Sequence, residues 1–500
     1  MSDPFSWHPE PALIGYRDPA EARAALEELG RLVWEACLDY LYDEAMRRPI
    51  ARESYPDMRR SFFGPGNEPG PAPSAPSTSK EIVAEFRERI APHVFNSQHP
   101  GAFSYFTPPP LPVSIAGEVL SQWVQQGVDV WAAGPVAAFV EEEVTSWLRE
   151  LVGIGPEGWG VLTSGGVMAN IMALNLARDV HLPRLLGLRE PPRGSQLEDV
   201  RVYASDQAHF SIERALATLG FPPETLRIVP SDERFRLRAE PVAAAIAEDR
   251  AAGLTPLAIA AVSGSTNTGS VDLVGELADL AEREGLWLHV DAAYGGAARF
   301  SERLAGRVPA LERADSVTVD PHKWFFQAYD IGGLVVRRRE DLLRTFHREP
   351  EYYRYPNPED APLNWMQYSI EGTRRFRALK LWLSWKHLGS EGFARLVEAN
   401  ADLAAYLAAR CRERGFEVAP PQPELSVVCF RHVPPGVGPE EVDAHQDRLQ
   451  RALEVSGEAW VSTTKLRGRT YLRAGIVNYL STEADVDRMM DVLERLAPRT

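Results

Sequence analysis

The chain has 500 residues, of which 44% are hydrophobic and 25% charged, and its formal net charge is −16. This length favours one large domain of alternating strands and helices with smaller domains attached. The acidic balance argues against a nucleic-acid partner, which needs a clustered basic surface, and no apolar stretch approaches the roughly 20 residues of a membrane span.

The N-terminal part of the chain is predicted to be helical. Residues 20–47 carry apolar side chains at helical spacing. A linker rich in Gly, Pro and Ser follows at 64–79, and it ends in Thr78 with Glu81 three residues on, the pattern of a capping box that opens another helix. We therefore predict a separate helical segment over residues 1–98.

Between about 157 and 340, short apolar runs alternate with helical segments. The runs are GVLTS, RVYAS, LAIAAVS, LWLHVDAAY, SVTVD and GGLVV. Continuous apolar strands separated by helices indicate a parallel sheet covered on both faces, and such sheets bind ligands beyond the carboxyl ends of their strands. We predict a large α/β domain over residues 99–385 and a small α+β domain over 386–500.

Two candidate binding features follow the first two runs. Gly165 and Gly166 join a strand to a helix, and the N–H groups of such a turn suit a phosphate, although many glycine turns are purely structural. His209 stands at or near the start of the next helix. Its ring could cap the helix, fill the core or stack on a planar ligand.

Two charged residues follow later apolar runs, and their sequence positions place them at one edge of the sheet. Asp291 ends a strongly apolar strand, where a buried carboxylate needs a cation or hydrogen-bond donors. Lys323 follows the next apolar run and precedes three aromatic residues at 324–326. Desolvation by these rings predicts a lowered pKa for Lys323 and hence a neutral amine that can attack an aldehyde. His289 and His322 lack the spacing and support of metal ligands, so no metal is expected.

The four features fit one cofactor. Pyridoxal 5'-phosphate (PLP) needs a phosphate-binding turn, a ring that stacks on the pyridine, an aspartate for the pyridinium proton and a lysine for a Schiff base. Each feature is common by itself. Their order along the chain, at successive strand ends, makes the combination specific.

With these residues in view, the chain resembles the group II PLP-dependent amino-acid decarboxylases, which include the aromatic-L-amino-acid, histidine and glutamate decarboxylases. The matching segments are HPGAFSYF at 99–106, SDQAHFSIERA at 205–215, LHVDAAYGG at 288–296, DPHKW at 320–324 and RRFRALKLW at 374–382. The resemblance covers roughly residues 20–490. It implies the PLP-dependent transferase fold of type I, with a mostly parallel seven-stranded sheet, and a homodimer with active sites at the interface and N-terminal helices packed across the partner.

The resemblance also implies a role for each residue of the site. Lys323 would carry the Schiff base and Asp291 would pair with the pyridine nitrogen, while His209 would stack on the ring and His322 would lie beside the phosphate. The full set of implied cofactor-binding residues is Gly165, Gly166, Val167, His209, Thr266, Asp291, Ala293, His322 and Lys323.

The implied substrate is a small amino acid, which loses carbon dioxide and leaves as an amine. Tyr105, Phe106 and Thr107 would line its pocket, and Tyr352, on a loop at 348–362, would protonate the α-carbon, with Tyr353 one register away. Plant relatives tend to carry serine before the RRF or RKF motif for phenolic substrates and glycine for indolic ones. Thr373 stands there, which favours tyrosine, phenylalanine or dihydroxyphenylalanine over tryptophan.

Several alternatives stay open at this point. Four other kinds of protein could have this fold: an aromatic aldehyde synthase, a PLP-dependent aminotransferase or other lyase, a decarboxylase of a non-aromatic amino acid, and a non-catalytic binding protein. The loop tyrosines and His209 disfavour the aldehyde synthase. Two residues depart from many relatives: Val167 replaces a hydroxyl residue, and Asp320 stands where some relatives have asparagine. Both suit a phosphate less well. Arg473 matches a family arginine that could reach the mouth of the site or form a surface ion pair.

The cysteines bear on location. The three cysteines, Cys37, Cys411 and Cys429, lack the spacing of a zinc site. Their odd number, together with N-terminal residues that do not read as a secretion signal, fits a reducing compartment. We therefore predict a cytoplasmic protein.

Overall fold

The structure is a computed structural model that describes residues 5–15, 18–42, 48–50, 54–348, 351 and 362–499. The chain forms two compact units. The smaller comprises Met1–Phe103, Asp447–Val461 and Leu480–Thr500, and the larger comprises Ser104–Gln446 and Ser462–Tyr479. The predicted division at residues 98 and 385 stays a prediction.

The N-terminal part of the smaller unit is helical. Its helices are α1 (Pro11–Ile14), α2 (Pro19–Tyr42), α3 (Tyr55–Phe63) and α4 (Ser79–Glu85). The predicted capping box is present at the start of α4, where the Thr78 side chain accepts from the Glu81 backbone and the Glu81 side chain accepts from the Thr78 backbone. The helix predicted over 20–47 is confirmed as far as residue 42, and residues 43–47 lie outside the described part of the chain.

The larger unit is built on a seven-stranded sheet. Its strands are β1 (Trp159–Thr163), β2 (Val200–Ser205), β3 (Leu226–Val229), β4 (Thr255–Val262), β5 (Trp287–Asp291), β6 (Ser316–Val319) and β7 (Gly332–Val336). Their order in the sheet is β1-β7-β6-β5-β4-β2-β3. Only β7 runs antiparallel to its neighbours, which confirms the predicted, mostly parallel sheet.

Helices connect and cover these strands. They are α5 (Pro112–Val124), α6 (Pro135–Val152), α7 (Gly166–Leu176), α8 (Leu182–Leu186), α9 (Ser211–Thr218), α10 (Ala239–Ala251), α11 (Val274–Glu284), α12 (Glu302–Ala305), α13 (Arg339–Phe346) and α14 (Ala378–Glu413). Eight consecutive residues of α7, from Ala169 to Leu176, are buried, because this helix packs against α9 and against the sheet. It therefore holds the residues at its start in a fixed position.

A second sheet completes the larger unit. It has four antiparallel strands, β8 (Glu417–Val418), β9 (Val427–Arg431), β10 (Ser462–Leu466) and β11 (Arg469–Gly475), in the order β10-β11-β9-β8. Two further α-helices are α15 (Pro439–Ser456), which begins in the larger unit and ends in the smaller, and α16 (Glu483–Leu496), which belongs to the smaller unit. Taken over the described residues, no helix is both long and apolar enough to span a membrane.

Candidate active site

The turn between β1 and α7 is shaped by two glycines. Gly165 caps α7 and Gly166 is its first residue, so the first N–H groups of the helix have no acceptor within it. A Cβ atom on Gly165 would lie 3.1 Å from the His322 ring, and one on Gly166 would lie 2.8 Å from a carboxylate oxygen of Asp320. Only glycine lets these side chains approach the turn so closely.

All nine residues predicted to bind a cofactor line one cavity beside this turn. The cavity measures about 370 Å³ and lies where β1, β2, β4, β5 and β6 end. Its lining includes Gly165, Gly166, Val167, His209, Thr266, Asp291, Ala293, His322 and Lys323. The chain thus brings together residues that are up to 158 positions apart in sequence, as expected for strand ends of one parallel sheet.

Asp291 ends β5 with both carboxylate oxygens hydrogen-bonded. Oδ1 accepts from the backbone N–H of Ala293 at 3.1 Å, and Oδ2 accepts from the Asn170 side chain at 2.8 Å. Lys323 follows the neighbouring strand β6, so the prediction that the two residues meet at one edge of the sheet is confirmed.

Asn170 was missed by the sequence analysis, although it joins the polar groups behind Asp291. Its Oδ1 accepts from Thr318 at 2.6 Å and lies 3.0 Å from His289 Nε2, while its Nδ2 also donates to Ser211 at 2.8 Å. Asn170 follows Gly166 by four residues and therefore lies on the same face of α7. That spacing after a glycine turn was the only available signal.

The orientation of the Asn170 amide follows from a chain of donors. Trp287 Nε1 donates to Ser316 Oγ, so the Ser316 hydroxyl proton is free to go to Nδ1 of His289 at 2.9 Å. His289 Nε2 then carries the ring proton and donates to Asn170 Oδ1. Burial lowers the pKa of His289 to about 4, which keeps the ring neutral. The amide nitrogen of Asn170 must therefore face Asp291.

His209 lies two residues before the first residue of α9. Its side chain lines the cavity, and the residue is half-buried. Its Nδ1 accepts from the Ser211 backbone N–H at 3.3 Å and lies 2.8 Å from the Ser211 hydroxyl. Burial lowers the pKa of His209 despite the nearby Asp291 carboxylate. Near neutral pH the ring is thus uncharged with its proton on Nε2, and a neutral flat ring suits stacking.

The pKa of Lys323 is raised, which contradicts the lowered value predicted from its aromatic neighbours. Burial does oppose the ammonium charge, but the carboxylates of Asp320 and Asp291 more than offset it. The Lys323 Nζ atom lies 3.1 Å from Asp320 Oδ2. The rings of residues 324–326 are fully buried in the core, with Trp324 stacked on Tyr294 rather than on the amine.

Asp320 and His322 lie beside the glycine turn. Asp320 is only 1% exposed, and its Oδ1 atom has no hydrogen-bond partner within the described residues. His322 Nδ1 accepts from the Ile331 backbone N–H at 3.3 Å, and burial lowers the pKa of this ring as well. His322 is therefore neutral near pH 7, which leaves Lys323 as the cation of the cavity.

The predicted substrate residues lie in different environments. Tyr105 is 59% exposed, whereas Phe106 is 9% exposed, with its ring stacked on Tyr294 at 4.2 Å between centroids. Thr107 Oγ1 lies 3.1 Å from the hydroxyl of Tyr329, whose ring packs against His322. Thr373 is exposed and outside the cavity lining. Tyr352 and Tyr353 lie outside the described residues.

Arg473 of β11 reaches the neighbourhood of the cavity. It is 4% exposed, its Nε donates to the carbonyl of Thr266 at 2.7 Å, and its guanidinium lies 4.7 Å from the Phe106 ring centroid. One of its terminal nitrogens has no hydrogen-bond partner, and it forms no ion pair with any described carboxylate. A buried cation without a counterion is suited to an anionic ligand.

The cavity provides what PLP requires, and the groups present fit this cofactor. The glycine turn at the start of α7 offers N–H groups to a phosphate, and Asp291 presents a carboxylate fixed by two donors. Lys323 supplies the amine and His209 a neutral flat ring. No group of three or more His, Cys, Asp or Glu side chains in the described part of the chain is arranged to hold a metal ion.

Comparison with known proteins adds to this geometry. The pyridoxal-dependent decarboxylase conserved domain matches residues 66–433. The aromatic-L-amino-acid decarboxylase of Bacillus atrophaeus is 32% identical over 475 residues, which cover 94% of this chain and 95% of that protein. The human cysteine sulfinic acid decarboxylase is 32% identical over 434 residues, with coverage of 84% and 86%. A crystal structure of Oryza sativa TDC with PLP and tryptamine superposes with a TM-score of 0.88 at 25% identity and covers 97% of this chain and 99% of that one.

Proposed function

The chain belongs to the pyridoxal-dependent decarboxylase family, and we propose that it converts an aromatic L-amino acid to the corresponding amine and carbon dioxide. Membership of this family identifies the chain as a lyase of amino-acid metabolism with PLP as its cofactor. The matches to known proteins confirm the family, fold and cofactor that were predicted from the sequence. Four further points are proposals: the aromatic side chain of the substrate, the roles of individual residues, the subunit assembly and the cytoplasmic location.

We assign the cofactor to the cavity at the strand ends. The N–H groups at Gly166 and Val167 would hold its phosphate, Asp291 its ring nitrogen, His209 one face of its ring and Lys323 its aldehyde. When bound, PLP supplies an aldehyde that links to an amine and a pyridinium ring that accepts the electrons of the breaking bond to the carboxyl group.

The residues around Asp291 would keep the ring nitrogen protonated. Two donors fix its carboxylate, and the amide of Asn170 cannot rotate away because its oxygen is held by Thr318 and His289. A carboxylate in a dry site forms a strong charge-assisted hydrogen bond to a pyridinium proton. Tyr352 remains our proposal for the residue that returns a proton to the α-carbon.

The absence of arginine from the cavity lining is the observation that carries the aromatic assignment. Across the described residues, the lining has one lysine, Lys323, and no arginine to pair with an acidic substrate side chain. The similarity to the aromatic-L-amino-acid decarboxylase also spans more of the chain than that to the cysteine sulfinic acid decarboxylase. Arg473, held between Thr266 and Phe106, would take the α-carboxylate, which every substrate shares.

A substrate panel tests this proposal. PLP-loaded protein is incubated separately with tyrosine, phenylalanine, dihydroxyphenylalanine, tryptophan, cysteine sulfinate, glutamate and 2,4-diaminobutyrate, and amine and carbon dioxide are measured. We expect equal amounts of both from one or more aromatic substrates, no turnover by Lys323→Ala and full turnover by Lys465→Ala, which changes an exposed lysine of β10. A preference for cysteine sulfinate would overturn the aromatic assignment, and aldehyde with peroxide would indicate an aldehyde synthase.

We further propose that two copies of the chain form a homodimer. The larger unit exposes an apolar surface along α5 and α6 that includes Val119, Leu120, Trp123 and Phe139, with Trp123 64% exposed. Several large exposed apolar side chains on neighbouring turns of α5 are typical of an interaction site. A second copy would also cover the exposed Tyr105, consistent with active sites at the interface. Light scattering should give a dimer for the wild type and a shift towards monomer for Trp123→Glu.

A further inference from the structure

Asp320 lies where the phosphate of PLP would bind. Its backbone follows β6 directly, and its side chain lies against the glycine turn, with Oδ2 2.8 Å from the position of a Cβ atom on Gly166. On its other side, a Cβ atom on Gly332 would lie 2.7 Å from Oδ1. The carboxylate is therefore confined between the backbones of Gly166 at the start of α7 and Gly332 at the start of β7.

The hydrogen bonding of Asp320 is incomplete. Oδ2 has Lys323 Nζ at 3.1 Å, but Oδ1 is buried and has no hydrogen-bond partner among the described residues. A buried carboxylate oxygen without a donor is unfavourable. Oδ1 lies against Gly332, whereas Oδ2 lies against Gly166, so Oδ2 is the oxygen that a phosphate at the turn would meet.

A second anion at this turn creates a charge problem. A phosphate monoester carries a charge of about −2 near neutral pH, and its second pKa lies near 6. Lys323 is the cation that balances Asp320 in the protein alone, and the cofactor aldehyde requires that same amine. Two adjacent anions in a site of low dielectric are destabilised unless one of them takes up a proton.

We propose that Asp320 and the phosphate of bound PLP share one proton, which is taken up from water when the cofactor binds. The proton lies between Asp320 Oδ2 and a phosphate oxygen. PLP affinity therefore falls as the pH rises. The inference rests on the assignment of PLP to the cavity made above.

Other titratable groups face Asp320 and must be separated from its effect. Those on its own segment are Lys323, His322 and Tyr329, and those on neighbouring elements are His209 and Asp291. Replacing Asp320 with asparagine keeps the shape of the side chain but removes a carboxylate that raises the pKa of Lys323. Pyridoxal lacks the phosphate, so the number of protons taken up with it measures how these groups respond to a bound ring and aldehyde alone.

Calorimetric titration of the PLP-depleted full-length protein tests the proposal. Binding of PLP and of pyridoxal is measured at about pH 8 in buffers with different heats of ionisation, which gives the number of protons taken up. The variants are Asp320→Asn and, as a matched control, Asp315→Asn, which changes a carboxylate at the opposite end of β6.

We expect the wild type and Asp315→Asn to take up about one more proton with PLP than with pyridoxal, and Asp320→Asn to show no such difference. The PLP affinity of Asp320→Asn relative to wild type should rise by up to about tenfold per pH unit between about pH 7 and pH 9. Equal proton uptake for both ligands in the wild type would overturn the proposal, whether or not Asp320→Asn folds. Borohydride reduction followed by peptide mapping shows separately whether PLP reaches Lys323, so failure of the site assignment is distinguishable.

Discussion

Removing the Asn170 side chain should weaken both the fold and the cofactor site. Asn170 is 1% exposed, and its amide is involved in four hydrogen-bond contacts, to Asp291, Ser211, Thr318 and His289. The bond to the Asp291 carboxylate contributes about 1.5–3 kcal/mol, because its acceptor is charged. Asn170→Ala also leaves three other buried polar groups without this partner, so we expect a total loss of about 3–5 kcal/mol in the free energy of unfolding.

The same variant should bind PLP more weakly, because Asp291 loses one of the two donors that fix its carboxylate. A loss of about 1.4 kcal/mol in binding corresponds to a tenfold weaker affinity, and we expect at least that change. The matched control is Asn175→Ala, which removes a buried asparagine of α7 whose Oδ1 accepts from Arg178 at 2.7 Å, away from Asp291. It should lower stability and leave PLP affinity within about twofold of wild type.

Urea unfolding of the PLP-free protein and absorbance titration with PLP measure the two effects independently. If Asn170→Ala unfolds within about 1 kcal/mol of wild type, the four contacts do not carry the energy assigned to them. If Asn175→Ala weakens PLP binding as much as Asn170→Ala does, the effect arises from general loosening of α7. The first result would refute the stabilising role of Asn170, and the second its specific role in positioning Asp291.

Three further predictions follow from buried groups near the site. His289 has a pKa of about 4 in the folded protein and 6.5 in the unfolded chain, so the unfolded state takes up the proton first as the pH falls. The free energy of unfolding should be highest above pH 6.5 and should fall by about 3 kcal/mol as the pH drops to 4. Urea unfolding of His289→Gln should not show this loss. Glu141→Gln removes the closer of two ion-pair partners of the buried Arg374 guanidinium, since Glu371 lies 3.9 Å away, and should lower the free energy of unfolding by about 3–5 kcal/mol. A loss below about 1 kcal/mol would contradict this role of the pair. Gly166→Ala places a Cβ atom 2.8 Å from a carboxylate oxygen and should lower PLP affinity at least tenfold in absorbance titrations. The control Gly155→Ala, in which no atom lies within 4 Å of the new Cβ, should bind PLP as the wild type does.

The sheet was predictable from sequence wherever a strand is buried along its length. The five residues of β5 and of β7 are all buried, and both strands stand out as continuous apolar runs. The edge strand β3 escaped notice because its four residues are mostly exposed or half-buried and its sequence, LRIV, includes a charged residue. The spacing and number of apolar residues identify strands in the middle of a sheet more reliably than strands at its edge.

The site was predictable to the extent that it consists of residues at strand ends. Asp291 and Lys323 could be placed at one edge from the order of strands alone, since parallel strands end on the same side. Asn170 and Asp320 could not be assigned in this way, because their importance depends on contacts between segments more than 120 positions apart, such as the bond from Asn170 to Asp291 and the approach of Asp320 to Gly166. Nothing in the local sequence encodes those distances.

The error in the predicted pKa of Lys323 has a consequence for how its amine becomes reactive. Aromatic neighbours lower a lysine pKa only when they surround the amine, and here they enter the core instead. The amine is left against the carboxylate of Asp320 and is held as an ammonium, which is no nucleophile. A neutral amine therefore arises only if the proton leaves Nζ, and the Asp320 carboxylate, whose Oδ2 lies 3.1 Å away, opposes that loss. Replacing Asp320 by asparagine removes a carboxylate that stabilises the ammonium, so Lys323 should react with added pyridoxal faster than in the wild type at neutral pH. Stopped-flow absorbance can separate that rate from the affinity, and an unchanged or slower rate would refute this control of the amine by Asp320.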